Sequence, residues 1–198
     1  MNSKHLLAAL GVAVALLASP AAAKPEDPKP EEPKDRVTVT TPGYVLAAHV
    51  PEGWQGDTEA AKKYHGSMLF TPKAAGAGSA KILVSVYYKS NENTELRLQS
   101  EIANYRKRYP HLELTDLDVK HPQYETVGKL FSQPNDFYQD IAFLNPGTIY
   151  ANILYVAMLK QKTPATPEEL AAYKDVLQSL KMTLVGQKQV RPPEKPGA

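Results

Sequence analysis

The stretch 148–159 (TIYANILYVAML) constrains the fold more than any other part of this sequence. Alternate side chains of a strand point to opposite faces, so Ile153 and Tyr155 face one way while Leu154 and Val156 face the other. Both faces are mainly apolar, and a strand of this kind requires cover on both sides. Because most connections along the chain are of hairpin length, we predict that this strand lies in an antiparallel sheet.

Helices must cover both faces of such a sheet, which predicts an α/β/α sandwich of the α+β class. An open β-sandwich is the second alternative, and a closed, lipocalin-like barrel is the third. Alternation and turn residues predict a hairpin of Arg36–Thr40 with 44–50 across Thr41-Pro42-Gly43. The same signals predict further strands at 67–71, Lys81–Tyr88, 112–119, 124–132 and Phe137–Asn145.

Three helices are predicted from capping residues and apolar spacing. A short helix at 57–64 is capped by Asp57, and a longer one occupies 94–109. A third begins at Thr166, where Pro167 and Glu169 complete a capping box. The apolar stripes of the two longer helices are Leu98, Ile102, Tyr105 and Tyr109 in the first and Leu170, Tyr173, Leu177 and Leu180 in the second.

The first 23 residues have the order of a secretory signal peptide. Lys4 and His5 precede an uncharged apolar run of 13 residues, and small residues follow up to Ala23. A buried or anchoring helix is the alternative, but a bilayer span takes about 20 residues and no stop-transfer signal follows. We expect cleavage after Ala23 and a periplasmic or secreted mature chain without a membrane span.

Composition divides the remaining chain into three zones. Residues 24–36 hold four prolines and nine charges, which predicts a solvated linker, and 186–198 repeat that character as a disordered tail. Residues 37–185 form a single neutral domain that contains all 16 aromatic residues. A net charge of +2 without a basic stretch argues against nucleic acid or an anionic membrane as the partner.

Common catalytic motifs do not occur in this sequence. Zero cysteines exclude disulfide scaffolds, thiolate metal sites and cysteine nucleophiles, and the zinc-protease, α/β-hydrolase and penicillin-binding signatures are missing. Residues 76–81 (GAGSAK) are glycine-rich, but their lysine opens a strand, whereas a phosphate loop leads into a helix. A hydrolase whose catalytic residues are scattered through the chain stays open as an alternative.

The histidines do not predict a metal site. His111 and His121 flank Asp116 and Asp118, yet ten extended residues would separate the two imidazoles by about 30 Å. We therefore predict no metal and no cofactor. We expect His49, on an apolar strand, to be a hydrogen-bonded structural residue.

Three other features invite a partner-binding interpretation. Trp54, the only tryptophan, is either a plug that closes the core or an exposed anchor for a partner, and it is the one candidate partner-binding residue. The run 106–108 (RKR) is explained by the dipole of the helix that it ends. We expect most of the strand tyrosines to be core residues, a set that comprises Tyr87, Tyr88, Tyr150 and Tyr155.

The order of elements resembles that of PsbP-like domains across residues 37–185. A strand ends in Pro51-Glu52-Gly53-Trp54, and a strand pair, an amphipathic helix, a meander and a closing helix follow, the last of which runs through 173–181 into a short final strand. This resemblance implies a non-enzymatic domain that attaches to a larger protein assembly. We therefore expect an exported accessory module that docks onto a protein partner of the envelope, and the alternative is a small periplasmic hydrolase or ligand-binding protein.

Overall fold

The structure is a computed structural model, and it describes residues 35–185 except 75, 77, 89–92 and 148–151. The predicted signal peptide and tail lie outside these residues, as do the linker up to residue 34 and the first part of the stretch 148–159. No helix in the described part of the chain is long and apolar enough to cross a membrane.

Ten strands and three helices are present in the described residues. In chain order they are β1 Arg36–Thr40, β2 Tyr44–His49, β3 Trp54–Asp57, α1 Thr58–Lys62, β4 Met68–Pro72, β5 Lys81–Tyr88, α2 Thr94–Arg108, β6 Glu113–Asp116, β7 Glu125–Gln133, β8 Phe137–Asn145, β9 Asn152–Gln161, α3 Pro167–Ser179 and β10 Lys181–Leu184. The predicted hairpin, strand pair and three helices are all found at these positions.

Seven strands form one antiparallel sheet in the order β3-β4-β5-β9-β8-β7-β6. Strand β9 occupies its centre between β5 and β8, in register with Val84 opposite Val156 and Phe143 opposite Tyr155. Its side chains alternate between two separate core clusters, with Tyr155 in one and Val156 in the other. Both faces of this strand are therefore buried, as its two-faced apolar pattern predicts.

Helices cover both faces of the large sheet, and the predicted α+β class is confirmed. Residues of α1 and α2 pack on one face, around Leu98 and Ile102. Residues of α3 pack on the other face, around Tyr173 and Leu177. The Tyr173 hydroxyl donates to the Val156 carbonyl at 3.0 Å, which ties α3 to the central strand.

A second sheet, which the sequence did not predict, shares the α3 face. It contains three antiparallel strands in the order β1-β2-β10, with Leu46 opposite Val39 on one side and opposite Met182 on the other. Because both edges of β2 are occupied in this way, the hairpin does not extend the large sheet. Leu46 and Met182 are buried against the large sheet in the same core as α3.

Candidate functional site

Trp54 begins β3 directly after a tight turn. The Trp54 N–H donates to the Pro51 carbonyl at 3.0 Å, and Gly53 adopts a φ of 76°, in the left-handed region that favours glycine. The turn directs the indole into the core, where Trp54 is 7% exposed. Of the two roles that the sequence left open for Trp54, this burial matches the plug that closes the core. A role of Trp54 in partner binding stays a prediction.

The exposed side of Trp54 lines a shallow groove of about 370 Å³ between the turn and α3. We call it the Trp54 groove, and its lining residues are Pro51, Glu52, Trp54, Glu168, Ala171, Ala172 and Asp175. Four of these are apolar and three are acidic, and none of the described lining residues is basic. The groove is thus an apolar depression with carboxylates around it.

The N-terminal half of α3 supplies one wall of the groove. Thr166 and Glu169 form the predicted capping box, in which the Thr166 side chain accepts from the Glu169 N–H and the Glu169 side chain accepts from the Thr166 N–H. Lys160 of β9 also donates to both Glu169 oxygens, at 2.5 and 2.7 Å, in a largely buried ion pair. These contacts fix the start of α3 against the sheet, and Glu168 and Ala171 lie on its exposed side.

Two of the acidic residues have hydrogen-bond partners within the fold. The pKa of Glu168 is lowered by its own backbone N–H and by the Thr166 side chain. The Asp175 carboxylate lies 2.8 Å from Nδ1 of His49, whose Nε2 is 3.7 Å from the Asp35 carboxylate. The groove therefore presents negative charge at neutral pH.

His49, Asp175 and Ser179 have the residue types of a hydrolytic triad but lack its geometry. The Ser179 hydroxyl accepts from the backbone N–H of His49 at 3.0 Å and donates to the Val176 carbonyl at 3.1 Å. The imidazole bonds to Asp175 and does not reach the Ser179 hydroxyl with its other nitrogen, which faces Asp35. No base thus takes the hydroxyl proton, which a serine nucleophile requires. The expected structural role of His49 agrees with these contacts.

Both ring nitrogens of His121 are engaged. Nε2 lies 2.9 Å from the Leu180 carbonyl, and Nδ1 accepts from the N–H groups of Gln123 and Tyr124 at 3.0 Å each. These partners define a neutral ring that donates through Nε2, and burial lowers the pKa of His121. The imidazole also stacks on the Tyr124 ring. His121 therefore links the approach to β7 to the end of α3.

The other residues considered for metal or anion binding are dispersed. Among the described residues, no three histidine, aspartate or glutamate side chains converge in a way that would hold a metal ion. Asp116 pairs with Lys129 across β6 and β7, and His111 is exposed after α2. Lys81 begins β5, as expected, and donates to the Tyr64 hydroxyl at 2.9 Å.

A second cavity, of about 340 Å³, lies at the end of the large sheet near Lys81. Three of its polar residues have internal partners: Lys81 bonds to Tyr64, Lys160 to Glu169, and Gln139 accepts from the Tyr105 hydroxyl. The cavity offers no free catalytic pair in the described residues that line it.

The tyrosines depart from the sequence prediction at one position. Tyr155 is buried and Tyr87 is partly buried, as expected, but Tyr88 is 79% exposed. Tyr88 is the last residue of β5, and its side chain lies beyond the edge of the core that fills the α3 face. Tyr150 lies outside the described residues. The run 106–108 forms the last turn of α2 and is exposed.

Sequence reasoning identified Trp54 but missed its partners in the groove. Glu168, Ala171 and Asp175 lie more than 110 positions from Trp54, so no local pattern connects them. One signal was present, since Ala171 and Ala172 place small side chains on α3 outside the predicted stripe. Only the packing of α3 onto the core brings that surface beside the turn.

Comparison with known proteins gave similarity in fold only. The chain matches no protein-family model and no curated protein sequence. It is similar to the solution structure of cyanobacterial PsbP (CyanoP) from Synechocystis sp. PCC 6803, with 8% identity and a TM-score of 0.49. The match covers 80% of this chain and 99% of the other. This similarity concerns the fold alone.

Proposed function

We propose that this protein is an exported, non-enzymatic accessory module that binds a protein partner of the envelope through the Trp54 groove. The observation that carries the proposal is the groove itself, an apolar depression lined by Trp54 and Ala171 and surrounded by carboxylates. An apolar centre with a polar rim is the usual anatomy of a protein interface, and tryptophan is enriched among residues that dominate binding energy.

The linker supports the same proposal. Residues 24–36 would tether the domain, and 13 extended residues give a reach of roughly 40 Å. Asp35, the first described residue, contacts His49, whose other partner is the groove residue Asp175. A tether of this length would keep the groove near a partner at a fixed site.

A hydrolase is the less favoured alternative. Ser179 donates its hydroxyl proton to a backbone carbonyl, and both nitrogens of His121 are used within the fold. Neither arrangement leaves a nucleophile and a base in contact beside a cavity, which hydrolysis by a serine or an activated water would require.

The test is affinity capture from the native envelope with identification of what is bound. The bait is compared with its Ala171→Arg variant, which places a long cation in the groove, and with Ala103→Arg, the same change on an exposed site of α2. We expect a defined partner with the parent and with Ala103→Arg but not with Ala171→Arg. Equal capture by all three baits would contradict the proposed site.

A further inference from the structure

We infer that the occupant of the Trp54 groove is a peptide segment of the partner that inserts a lysine or arginine side chain between Glu52, Glu168 and Asp175. The inference rests on the proposed function and specifies the chemistry of the partner at that site. It follows from three properties of the groove: its charge, its apolar lining and the unused donor of Trp54.

Charge is the first property. Three of the seven lining residues are acidic, and none of the described ones is basic. Asp175 has a partial counter-charge only when His49 is protonated, and Glu168 lies on the exposed side of α3 without a cationic partner among the described ion pairs. Because like charges around one depression repel each other, a cation bound there is favoured electrostatically and an anion is disfavoured.

The lining is the second property. Pro51, Trp54, Ala171 and Ala172 offer apolar surface inside the ring of carboxylates. Lysine and arginine combine an apolar stem with a charged end, so the stem can cover such a surface while the charge reaches the carboxylates.

Trp54 provides the third property. A buried tryptophan usually donates its indole N–H to a partner. The Trp54 indole N–H makes no hydrogen bond to any other described residue, and although the residue as a whole is only 7% exposed, its nitrogen is not among the buried atoms and is open to an incoming acceptor. A peptide main chain carries a carbonyl acceptor at every residue, so a peptide satisfies this donor while its side chain occupies the groove.

A metal ion does not fit the same residues. A divalent cation needs several oxygen ligands that converge within about 2.0–2.6 Å of one point. In the described part of the chain, no set of three carboxylates or imidazoles has that arrangement. A lysine or arginine side chain tolerates carboxylates that lie further apart, because each carboxylate contacts only one side of the charged group.

Selection from a displayed random heptapeptide library tests the inference. The purified protein is the target, and binding is followed by the fluorescence of Trp54, which is the only tryptophan in the chain. We expect the selected peptides to share a lysine or arginine next to an apolar residue and to lose binding to the Ala171→Arg variant.

Charge removal separates this inference from the proposed function. The double variant Glu52→Gln/Glu168→Gln should bind the selected peptides about tenfold more weakly, and higher salt should reduce that difference. The matched control is Glu95→Gln/Glu113→Gln, which removes two exposed carboxylates elsewhere and should leave affinity unchanged.

Three outcomes of the peptide experiments would overturn the inference. They are a library that yields no binder, binders without a shared cation, and binding that is unaffected by Glu52→Gln/Glu168→Gln. If the native partner is still lost from the Ala171→Arg bait in any of these cases, the groove remains a docking site for a partner of different chemistry. Concentration-dependent self-association that Ala171→Arg abolishes would identify a second copy of the chain as the occupant and would also overturn the inference.

Discussion

Trp54 packs in the core and also lines the groove, so its substitution affects folding before it affects binding. The ring is 7% exposed and contacts the cluster that contains Leu46 and Tyr173. Its identity was visible in the sequence, but its surroundings were not, because α3 supplies the opposite wall from a distant part of the chain. Local patterns identify single residues, whereas the neighbours of those residues depend on long-range packing.

Removal of the Trp54 ring should therefore destabilise the fold. Trp54→Ala leaves a large cavity, and we expect the free energy of unfolding to fall by about 3–5 kcal/mol in urea denaturation. A loss below about 1 kcal/mol, together with weaker partner binding, would show instead that the ring is an exposed anchor.

Asp140 is a buried carboxyl group that the sequence did not single out. It lies on β8 between Leu130 and Met158 and is 5% exposed, and burial raises its pKa to about 6. The folded state thus favours the protonated acid more than the unfolded state does. Its contribution to stability is fully present below about pH 4 and is lost as the pH rises through 6.

The variant Asp140→Asn tests this pH dependence. Asparagine has nearly the same shape but cannot ionise, so its stability advantage over the parent should grow by about 2–3 kcal/mol between pH 4 and pH 8. Chemical denaturation of both proteins at the two pH values measures the difference. A stability advantage that does not change with pH would show that ionisation of Asp140 does not destabilise the folded state. His121, whose pKa is lowered, acts in the opposite sense but is common to both proteins.

Elements with strong local signals were predicted well, and those that depend on distant pairing were not. The capping box at Thr166 predicts the start of α3, and the turn after Thr40 predicts the hairpin of β1 and β2. Each signal lies within a few neighbouring residues. Strand β3 (WQGD) has no alternating pattern, and it forms because it pairs with β4. The three-stranded sheet likewise depends on the pairing of β2 with β10, which lies over 130 residues away.

Gly56 is the point where the small sheet approaches the large one. A Cβ atom at this position of β3 would lie 2.1 Å from Cγ2 of Val37 in β1, which is too close for any real contact. Gly56→Ala should therefore force the two strands apart and destabilise the fold by about 1–3 kcal/mol in thermal or chemical unfolding.

Gly43 provides the matched control. A Cβ atom there meets nothing within 4 Å, so Gly43→Ala should change stability little. If Gly56→Ala is as well tolerated as Gly43→Ala, β1 and β3 do not lie as close together as the structure places them.

The phase of α3 is tested by two substitutions in the same helix. Tyr173 and Leu177 are fully buried as predicted, and Leu180 is buried just after the helix, while Leu170 is only partly buried. Leu177→Ala should cost about 2–5 kcal/mol because it opens a cavity, whereas Lys174→Ala on the exposed side should cost little. Comparable losses in urea unfolding would mean that the helix presents a different face to the core.

For the whole molecule, one central strand with two apolar faces determined most of the architecture. It predicted helices on both faces of the sheet, because each apolar face must be buried, while the hairpin-length connections predicted that the sheet is antiparallel. It did not predict that a three-stranded sheet shares one face with α3, nor that the junction of the turn at Pro51 with α3 leaves a groove. The candidate site therefore results from assembly of elements and not from any motif.

The most direct test is the affinity of the captured partner for three versions of this protein. Titration followed by Trp54 fluorescence should give at least about tenfold weaker binding for Ala171→Arg than for the parent, with no change for Ala103→Arg. All three should unfold at similar temperatures, since both substitutions lie on exposed helix positions. Equal affinity of the three proteins for the partner, or hydrolytic turnover of it that His49→Ala abolishes, would contradict a binding module that acts through the Trp54 groove.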